Sequence, residues 1–149
     1  MKNLAFAGLA LCIFAAGPAY ALEHRTTIDH PGGEIAADYR GDTRISTKQV
    51  GSAGPGGRAS TLRCNWTVSL SVERIASAGT GLHATRSMTR EEALKGSHPG
   101  WCSSGGNEVE RIVQARREVL REAMLAMVAQ DRETILAEAE NARQRARAG

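Results

Sequence analysis

The chain has 149 residues, of which 42% are hydrophobic, 4% are aromatic and 23% are charged. This length suits one small domain and excludes a multidomain enzyme. The charged fraction is close to that of an average globular protein, which argues against a chain that is disordered throughout. A formal net charge of +3 is a mild bias and does not favour binding to nucleic acid.

The first 21 residues contain the three parts of a secretory signal in the expected order. Lys2 supplies the positive charge, residues 4–16 form an apolar run, and a Gly-Pro pair ends that run. Small residues then lead to Ala21, as a signal peptidase requires. The apolar run is shorter than the ~20 residues that a membrane-spanning helix needs. We therefore expect cleavage between Ala21 and Leu22, and a mature chain that is periplasmic or secreted and has no transmembrane segment.

Two cysteines remain after the predicted cleavage, because Cys12 belongs to the leader. An oxidising compartment favours pairing of Cys64 with Cys102. In the chain-entropy description, closing a loop of this length stabilises the folded state by roughly 4 kcal/mol. Since no C-x-x-C motif indicates a redox centre, the sequence predicts a structural disulfide.

The clearest strand signal covers residues 60–75. Apolar side chains occupy every second position there, with polar ones between them, and this period of two is typical of a strand with one buried face. The pattern predicts the central strand of a sheet, with Cys64 on its apolar face. The alternating apolar residues are Leu62, Cys64, Trp66, Val68, Leu70 and Val72.

Other β-structure is predicted on both sides of this strand. Residues 22–33 are expected to be a flexible lead-in because they contain Pro-Gly-Gly. A strand over 34–40 would precede a turn at Gly41-Asp42, and residues 43–50 would form a mostly polar strand near a sheet edge. The Gly/Pro-rich segment 51–59 is expected to be a hairpin loop. A turn is then expected over 76–81, followed by a weak strand over 82–88.

Two helices are predicted in the second half of the chain. Thr89 and Glu92 form a capping box, which predicts a short helix that stops at Gly96. A longer helix is expected to start at Asn107, which can form a capping pair with Glu110, and to run to about residue 129. Its predicted buried stripe contains Val109, Ile112, Val113, Leu120, Ala123, Met124, Met127 and Val128.

The stripe weakens in residues 130–149, because Asp131, Thr134 and Glu138 fall where apolar residues should continue. We expect this segment to be a helical extension that packs only partly on the domain.

Together these elements predict the α+β class, with a small antiparallel β-meander covered by a long C-terminal helix and one disulfide. The folded domain is expected to span residues 34–129.

The sequence contains no recognisable catalytic, metal or cofactor motif. His24 and His30 lie near Asp29, but their spacing does not resemble a metal site, and surface positions are expected for the histidines. No serine lies in a G-x-S-x-G motif. The alternative to a non-enzymatic protein is a small periplasmic enzyme or ligand-binding domain with a site near His98 and Trp101.

Without such a motif, the sequence favours a small exported protein that acts by binding another protein in the cell envelope. Candidate contact surfaces are the 51–59 loop, an exposed Trp101, and an apolar edge of the C-terminal helix. That edge could equally mediate self-association through Ile135, Leu136 and Ala139.

Overall fold

A computed structural model describes residues 22–56, 60–79 and 81–149 of the chain. The predicted leader, residues 1–21, lies outside the described residues. Four strands are followed by two helices: β1 (Leu22–Ile28), β2 (Ile35–Val50), β3 (Arg63–Ala78), β4 (Leu82–Pro99), α1 (Gly106–Ala115) and α2 (Arg117–Ala148). A single turn of 3-10 helix, Cys102–Ser104, lies before α1.

The strands form an antiparallel sheet in the order β1-β2-β3-β4, so each strand pairs with its neighbours in sequence. The helices pack on one face of this sheet, where Val109 of α1 and Leu120 and Met124 of α2 join the core. This confirms the predicted α+β class, with an antiparallel meander covered by a long C-terminal helix. We call the helix-covered side of the sheet the inner face and the other side the outer face.

The predicted alternation of β3 is confirmed, since the six apolar residues of the pattern are all buried. The strand begins at Arg63, so Leu62 is buried in the loop just before it. At the other end the strand runs on to Ala78 and keeps its alternation. Arg74 therefore lies on the inner face between Val72 and Ala76, with none of its side chain exposed.

The expected flexible lead-in is wrong for residues 22–28, which form β1. Leu22 and Ile28 are buried, and each residue of β1 has a partner in β2. His24 and Thr26 lie on the inner face although they are polar. The sequence of β1 therefore does not show the alternation of apolar and polar residues that indicates a strand. The Pro-Gly-Gly segment makes only the connection to β2, where the Gly33 amide donates to the His30 carbonyl at 2.9 Å.

The expected turn at Gly41-Asp42 is also wrong, because β2 is continuous from Ile35 to Val50. Gly41 pairs with Val72 and Asp42 with Ser71, so sheet pairing overrides the local turn propensity. The pairing with β1 reaches Gly41, which lies opposite Leu22, and no other strand among the described residues pairs with the free side of residues 42–50. Within the described part of the chain, the edge position predicted for 43–50 is confirmed.

The short helix predicted over 89–96 is wrong as well, because these residues belong to β4. Thr89 pairs with Ser71 and Arg90 with Leu70, and the register then shifts so that Leu94 pairs with Val68. The capping-box residues thus lie next to a β-bulge, and antiparallel pairing with β3 replaces local helix formation.

Gly96 has a packing role that the sequence analysis missed. It lies opposite Trp66 in the sheet, and a Cβ atom at this position would be 2.3 Å from Cζ2 of the indole. Glycine is thus required by the aromatic ring of the neighbouring strand, and it does not end a helix.

The C-terminal helical region starts and divides differently from the prediction. Helix α1 begins at Gly106 with Gly105 as N-cap and no side-chain cap, so the Asn107 capping pair is not formed. The helical path breaks at Arg116, and α2 then continues to Ala148. The predicted stripe is largely correct, and its buried members are Val109, Val113, Leu120, Met124 and Met127.

The segment 130–149 packs on the domain more fully than expected. Ile135, Ala139 and Ala142 are buried, and Leu136 is half-buried against the same core. The buried stripe of α2 continues through this segment because Asp131 is itself buried, with a relative exposure of 2%. Its counter-charge on the sheet is Arg74.

Candidate functional site

The predicted disulfide is present and fixes one end of the sheet. Cys64 and Cys102 are bonded, with their Cα atoms 4.9 Å apart. Cys64 lies on the inner face of β3, so the bond draws the segment after β4 over that face. We call residues 100–105 the Trp101 loop, because it carries Trp101 at its exposed side.

A second restraint on this loop comes from Gln49, whose side-chain amide makes three hydrogen bonds. Its Nε2 donates to the carbonyls of Arg63 at 2.9 Å and Gly100 at 3.1 Å. Its Oε1 accepts from the backbone amide of Cys102 at 2.8 Å. Gln49 also pairs with Cys64 in the sheet register, so the amide and the disulfide hold the loop from neighbouring strands.

Trp101 lies on this restrained loop with 56% of its surface exposed. The Trp101 carbonyl accepts a hydrogen bond from the Ser104 hydroxyl at 2.7 Å, which restrains the backbone after Trp101, while Gln49 holds the Gly100 carbonyl before it. The ring itself is therefore presented to solvent by a rigid backbone. Trp66, the other tryptophan, is buried in the core at 5% exposure.

His98 lies on β4 opposite Cys64, next to the Trp101 loop. Its Nδ1 lies 3.1 Å from the Pro99 carbonyl, and its Nε2 is buried without a hydrogen-bond partner. The ring is packed against the start of α1, because a Cβ atom at Gly105 would be 2.2 Å from Nε2. Glycine at 105 is needed for this close approach.

An open cleft of about 380 Å³ lies beside His98, between β4 and α1. The sheet contributes Trp66 and Lys95 to its walls, and α1 contributes Glu108 and Ile112. The cleft contains an aromatic ring, both signs of charge and a histidine, which are the elements of a small-ligand site.

One of the serines that could serve a hydrolase near His98 is engaged elsewhere. The Ser104 hydroxyl donates to the Trp101 carbonyl, and no hydrogen bond or ion pair joins a carboxylate to the His98 ring among the described residues. Nor do those residues include a group of three His, Cys, Asp or Glu side chains placed to hold a metal ion.

The C-terminal helix does not present the apolar edge that was expected. Ile135 and Ala139 face the sheet with relative exposures of 0% and 1%, so neither can contact a partner without leaving the core. Leu136 is half-buried. The large apolar side chains that this helix exposes are instead Val119 and Leu125.

A buried charge network under α2 was missed by the sequence analysis. Arg74 makes a bidentate pair with Glu138, at 2.8 and 3.1 Å, and its Nε lies 3.3 Å from Asp131. Asp131 also accepts from Tyr39 at 3.1 Å and from Arg86 at 3.1 Å. The sequence did contain a signal for this network, because each charge falls at the spacing of the buried apolar residues of its own element. Arg74 comes two residues after Val72 on β3, and Asp131 comes four residues after Met127 on α2.

Burial shifts the ionisation of this network. Burial opposes the charged form of Arg74, but the hydrogen bond to Glu138 and the charge of Asp131 outweigh it and raise the pKa of the guanidinium. Burial also raises the pKa of Tyr39, and the adjacent Asp131 charge raises it further. The network therefore stays charged on Arg74 and neutral on Tyr39, which suits a structural lock between sheet and helix.

One further histidine differs from the expected surface position. The side chain of His30 is only 8% exposed, with Nδ1 accepting from the Gly32 amide at 3.0 Å and Nε2 lying 3.7 Å from Glu140. The ring thereby joins the β1–β2 turn to the end of α2.

No family model, curated protein or solved structure matches this chain. Within the described residues, no helix combines the length and the apolar composition needed to cross a membrane.

Proposed function

We propose that this protein is exported and acts in the cell envelope by binding another protein, with the Trp101 loop as its docking element. The observation that carries this proposal is the exposure of Trp101 on a loop held by a disulfide and by Gln49. Tryptophan is enriched among the residues that dominate binding energy in protein interfaces. A partner pocket that takes up the indole would bury a large apolar surface.

The restraint of the loop strengthens this proposal. A flexible loop loses conformational entropy when it binds, whereas a loop that is already fixed does not. The disulfide and the three amide hydrogen bonds of Gln49 fix the backbone before any partner arrives. The exposure of Trp101 favours a docking role for this residue, because a tryptophan with a purely structural role would be expected to be buried, as Trp66 is.

Two observations support export. Residues 1–21 have the pattern of a leader, which ends in small residues at Ala21. The disulfide is compatible with an oxidising compartment. Cell fractionation and N-terminal sequencing test this part: the expected product is extracytoplasmic and starts at Leu22. A cytoplasmic product that keeps Met1 would contradict it.

The docking role is tested with the protein immobilised as bait for an extract of the producing cell's envelope. Wild type is compared with Trp101→Ala and with Val119→Ala, which shortens another exposed apolar residue, at 46% exposure, on α2. We expect a partner that is retained by wild type and by Val119→Ala but lost with Trp101→Ala. Equal retention by all three proteins would exclude the loop as docking element.

The cleft beside His98 favours a second candidate, a small-ligand site. Its specific support is the buried Nε2 atom of His98, which has no hydrogen-bond partner. Titration of a small-molecule extract of the envelope should then shift the His98 ring signals in an NMR spectrum, and should do so equally in Trp101→Ala. Unchanged ring signals would remove this candidate.

A further inference from the structure

The outer face of the sheet divides into two halves with different charge patterns. Where all four strands are present, two ion pairs join charges of this face: Arg25 contacts Asp38, and Arg40 lies 3.3 Å from Glu23. Among the described residues, β1 pairs with β2 only as far as Gly41, and from Asp42 onward the described sheet consists of β2, β3 and β4. We call the outer face of this second part the distal outer face.

The distal outer face carries four basic residues on three adjacent strands. Arg44 and Lys48 lie on β2, Arg63 on β3 and Lys95 on β4, and all four are exposed. They alternate in sequence with the buried residues of their strands and so share one side of the sheet. Trp101 is not needed for this surface, which makes the inference below independent of the docking role proposed above.

The sequence around these residues lacks acidic groups. No Asp or Glu lies between Asp42 and Glu73, and none lies between Glu92 and Glu108. These two intervals contain the distal parts of β2, β3 and β4 together with the loops that connect or follow them. The overall net charge of +3 conceals this segregation.

The basic side chains are poorly compensated within the protein. Lys95 contacts Glu92 at 2.9 Å, which raises the pKa of the ammonium, and Arg63 donates to the neutral hydroxyl of Ser97 at 2.9 Å. Among the described residues, no carboxylate lies within ion-pair distance of Arg44, Lys48 or Arg63. Three of the four cations are therefore available to an external anion.

Between these cations runs a row of neutral hydrogen-bonding groups on β3. Asn65, Thr67 and Ser69 share the outer face and lie opposite Lys48, Ser46 and Arg44 of β2, respectively. Neighbouring strands are ~4.8 Å apart, and successive outward residues on one strand are ~7 Å apart. The result is a surface with hydroxyl and amide groups in the middle and positive charge on both sides.

The composition of this surface decides which class of anion it fits. A protein partner would be expected to meet an apolar and aromatic centre, and a membrane would be expected to take up apolar side chains. Apart from Val50 and Pro99, which flank Arg63 at the far end, the outward residues that pair across the distal strands contribute charges, hydroxyls and amides. We propose that the distal outer face binds an acidic polysaccharide, whose carboxylates would pair with Arg44, Lys48 and Arg63 and whose hydroxyls would bond to the β3 row.

The test measures binding of the full-length protein to an oligogalacturonate, which is a uronic-acid polymer, and to neutral dextran of equal length. We expect the oligogalacturonate to bind, with an affinity that falls as salt is added, and dextran not to bind. The triple variant Arg44→Gln/Lys48→Gln/Arg63→Gln should weaken binding about tenfold or more, because the facing charges are removed.

A matched control removes the same charge elsewhere. Arg111→Gln/Arg121→Gln/Arg132→Gln changes three exposed arginines of the helices and should leave the affinity unchanged. Equal losses in the two triple variants would overturn the proposal, as would binding of dextran. The single variant Lys48→Gln, with a smaller expected loss, keeps the test usable if the first triple variant does not fold.

Two further probes separate the polysaccharide from other anions. Polyglutamate of equal charge and vesicles of phosphatidylglycerol should bind more weakly than the oligogalacturonate, because neither offers a row of hydroxyls to β3. Tighter binding of polyglutamate would reassign the surface to an acidic protein segment. Tighter binding of the vesicles would reassign it to an anionic membrane. Either result would overturn the proposed class.

Discussion

Tyr39 donates a hydrogen bond to Asp131 at 3.1 Å, although the two residues are 92 positions apart in the chain. Tyr39 lies on the inner face of β2 and Asp131 lies on α2, so the bond joins the sheet to the helix that covers it. The same carboxylate faces Arg74 and Arg86. The stability of the helix–sheet packing should therefore depend strongly on this one acidic residue.

Replacing Asp131 with leucine should destabilise the fold by about 3–5 kcal/mol, because buried Arg74 loses one of its two counter-charges and Tyr39 loses its acceptor. Urea unfolding followed by circular dichroism measures the change. Glu133→Leu, two positions away on an exposed side of the helix, should change the free energy of unfolding by less than about 0.5 kcal/mol. A similar small effect for Asp131→Leu would contradict the proposed lock.

The titration of Tyr39 should differ between the folded and the unfolded protein. Its pKa is raised above the ordinary value of 10.0 by burial and by Asp131. The difference in absorbance at 295 nm between wild type and Tyr39→Phe isolates this residue. The difference should develop near pH 10 in urea, and at clearly higher pH in the folded protein. Coincident titrations would refute the burial effect.

The same shift predicts a loss of stability at alkaline pH. Above pH 10 the unfolded state releases the Tyr39 proton before the folded state does, so the free energy of unfolding falls as the pH rises further. Below pH 10 this contribution is fully present. We expect the urea midpoint of wild type to fall more steeply above pH 10 than that of Tyr39→Phe, and parallel curves would be evidence against the linkage.

Gly96→Ala should destabilise the protein by about 1–3 kcal/mol, since the new Cβ would overlap the Trp66 ring. In a Trp66→Leu background the same substitution should cost much less, because the indole atoms are gone. Gly79→Ala is a suitable control, as a Cβ there has nothing within 4 Å. Thermal unfolding of the four proteins gives the coupling, and additive effects would show that Trp66 and Gly96 do not constrain each other.

Removing the disulfide with Cys64→Ala/Cys102→Ala should lower the free energy of unfolding by about 2–4 kcal/mol. A reductant should produce a similar loss in wild type and none in the double variant. Alkylation and mass spectrometry of the unreduced protein should find neither Cys64 nor Cys102 modified. Two reactive thiols at these positions would remove the covalent restraint on the Trp101 loop.

The sequence predicted those elements whose burial pattern is uniform. Trp66 and Val68 alternate with polar residues along β3, and Leu120 and Met124 recur at helical spacing, so both elements are visible without tertiary information. Strand β1 was missed because His24 and Thr26 occupy inward positions with polar side chains. Its strand structure comes from pairing with β2, which no local pattern reveals.

The errors at β4 and at the end of α2 have the same physical origin. Thr89 and Glu92 satisfy a local helix signal, but antiparallel pairing with β3 determines their conformation. Asp131 breaks the apolar stripe of the helix, yet it is buried because Arg74 faces it from the sheet. A buried pair made of two residues far apart in sequence can be recognised only when both elements are considered together.

The Trp101 loop was partly predictable. The disulfide and the presence of Trp101 in a loop followed from the sequence, whereas the role of Gln49 depends on three backbone groups that only the folded sheet brings together. An exposed Trp101 was a candidate contact from the sequence, and its exposure follows from the position of the loop in the fold.

The contact of Arg74 with Glu138 and Asp131 has a consequence for how the long helix is aligned. Helix α2 has 32 residues, and we ask what a slip of one turn along the sheet would do to its buried charges. Such a slip, about 5.4 Å, would move the carboxylates of Asp131 and Glu138 away from the Arg74 guanidinium. The buried guanidinium would then have no counter-charge, which is costly in the protein interior. The ion pairs therefore favour one register of the helix against the sheet.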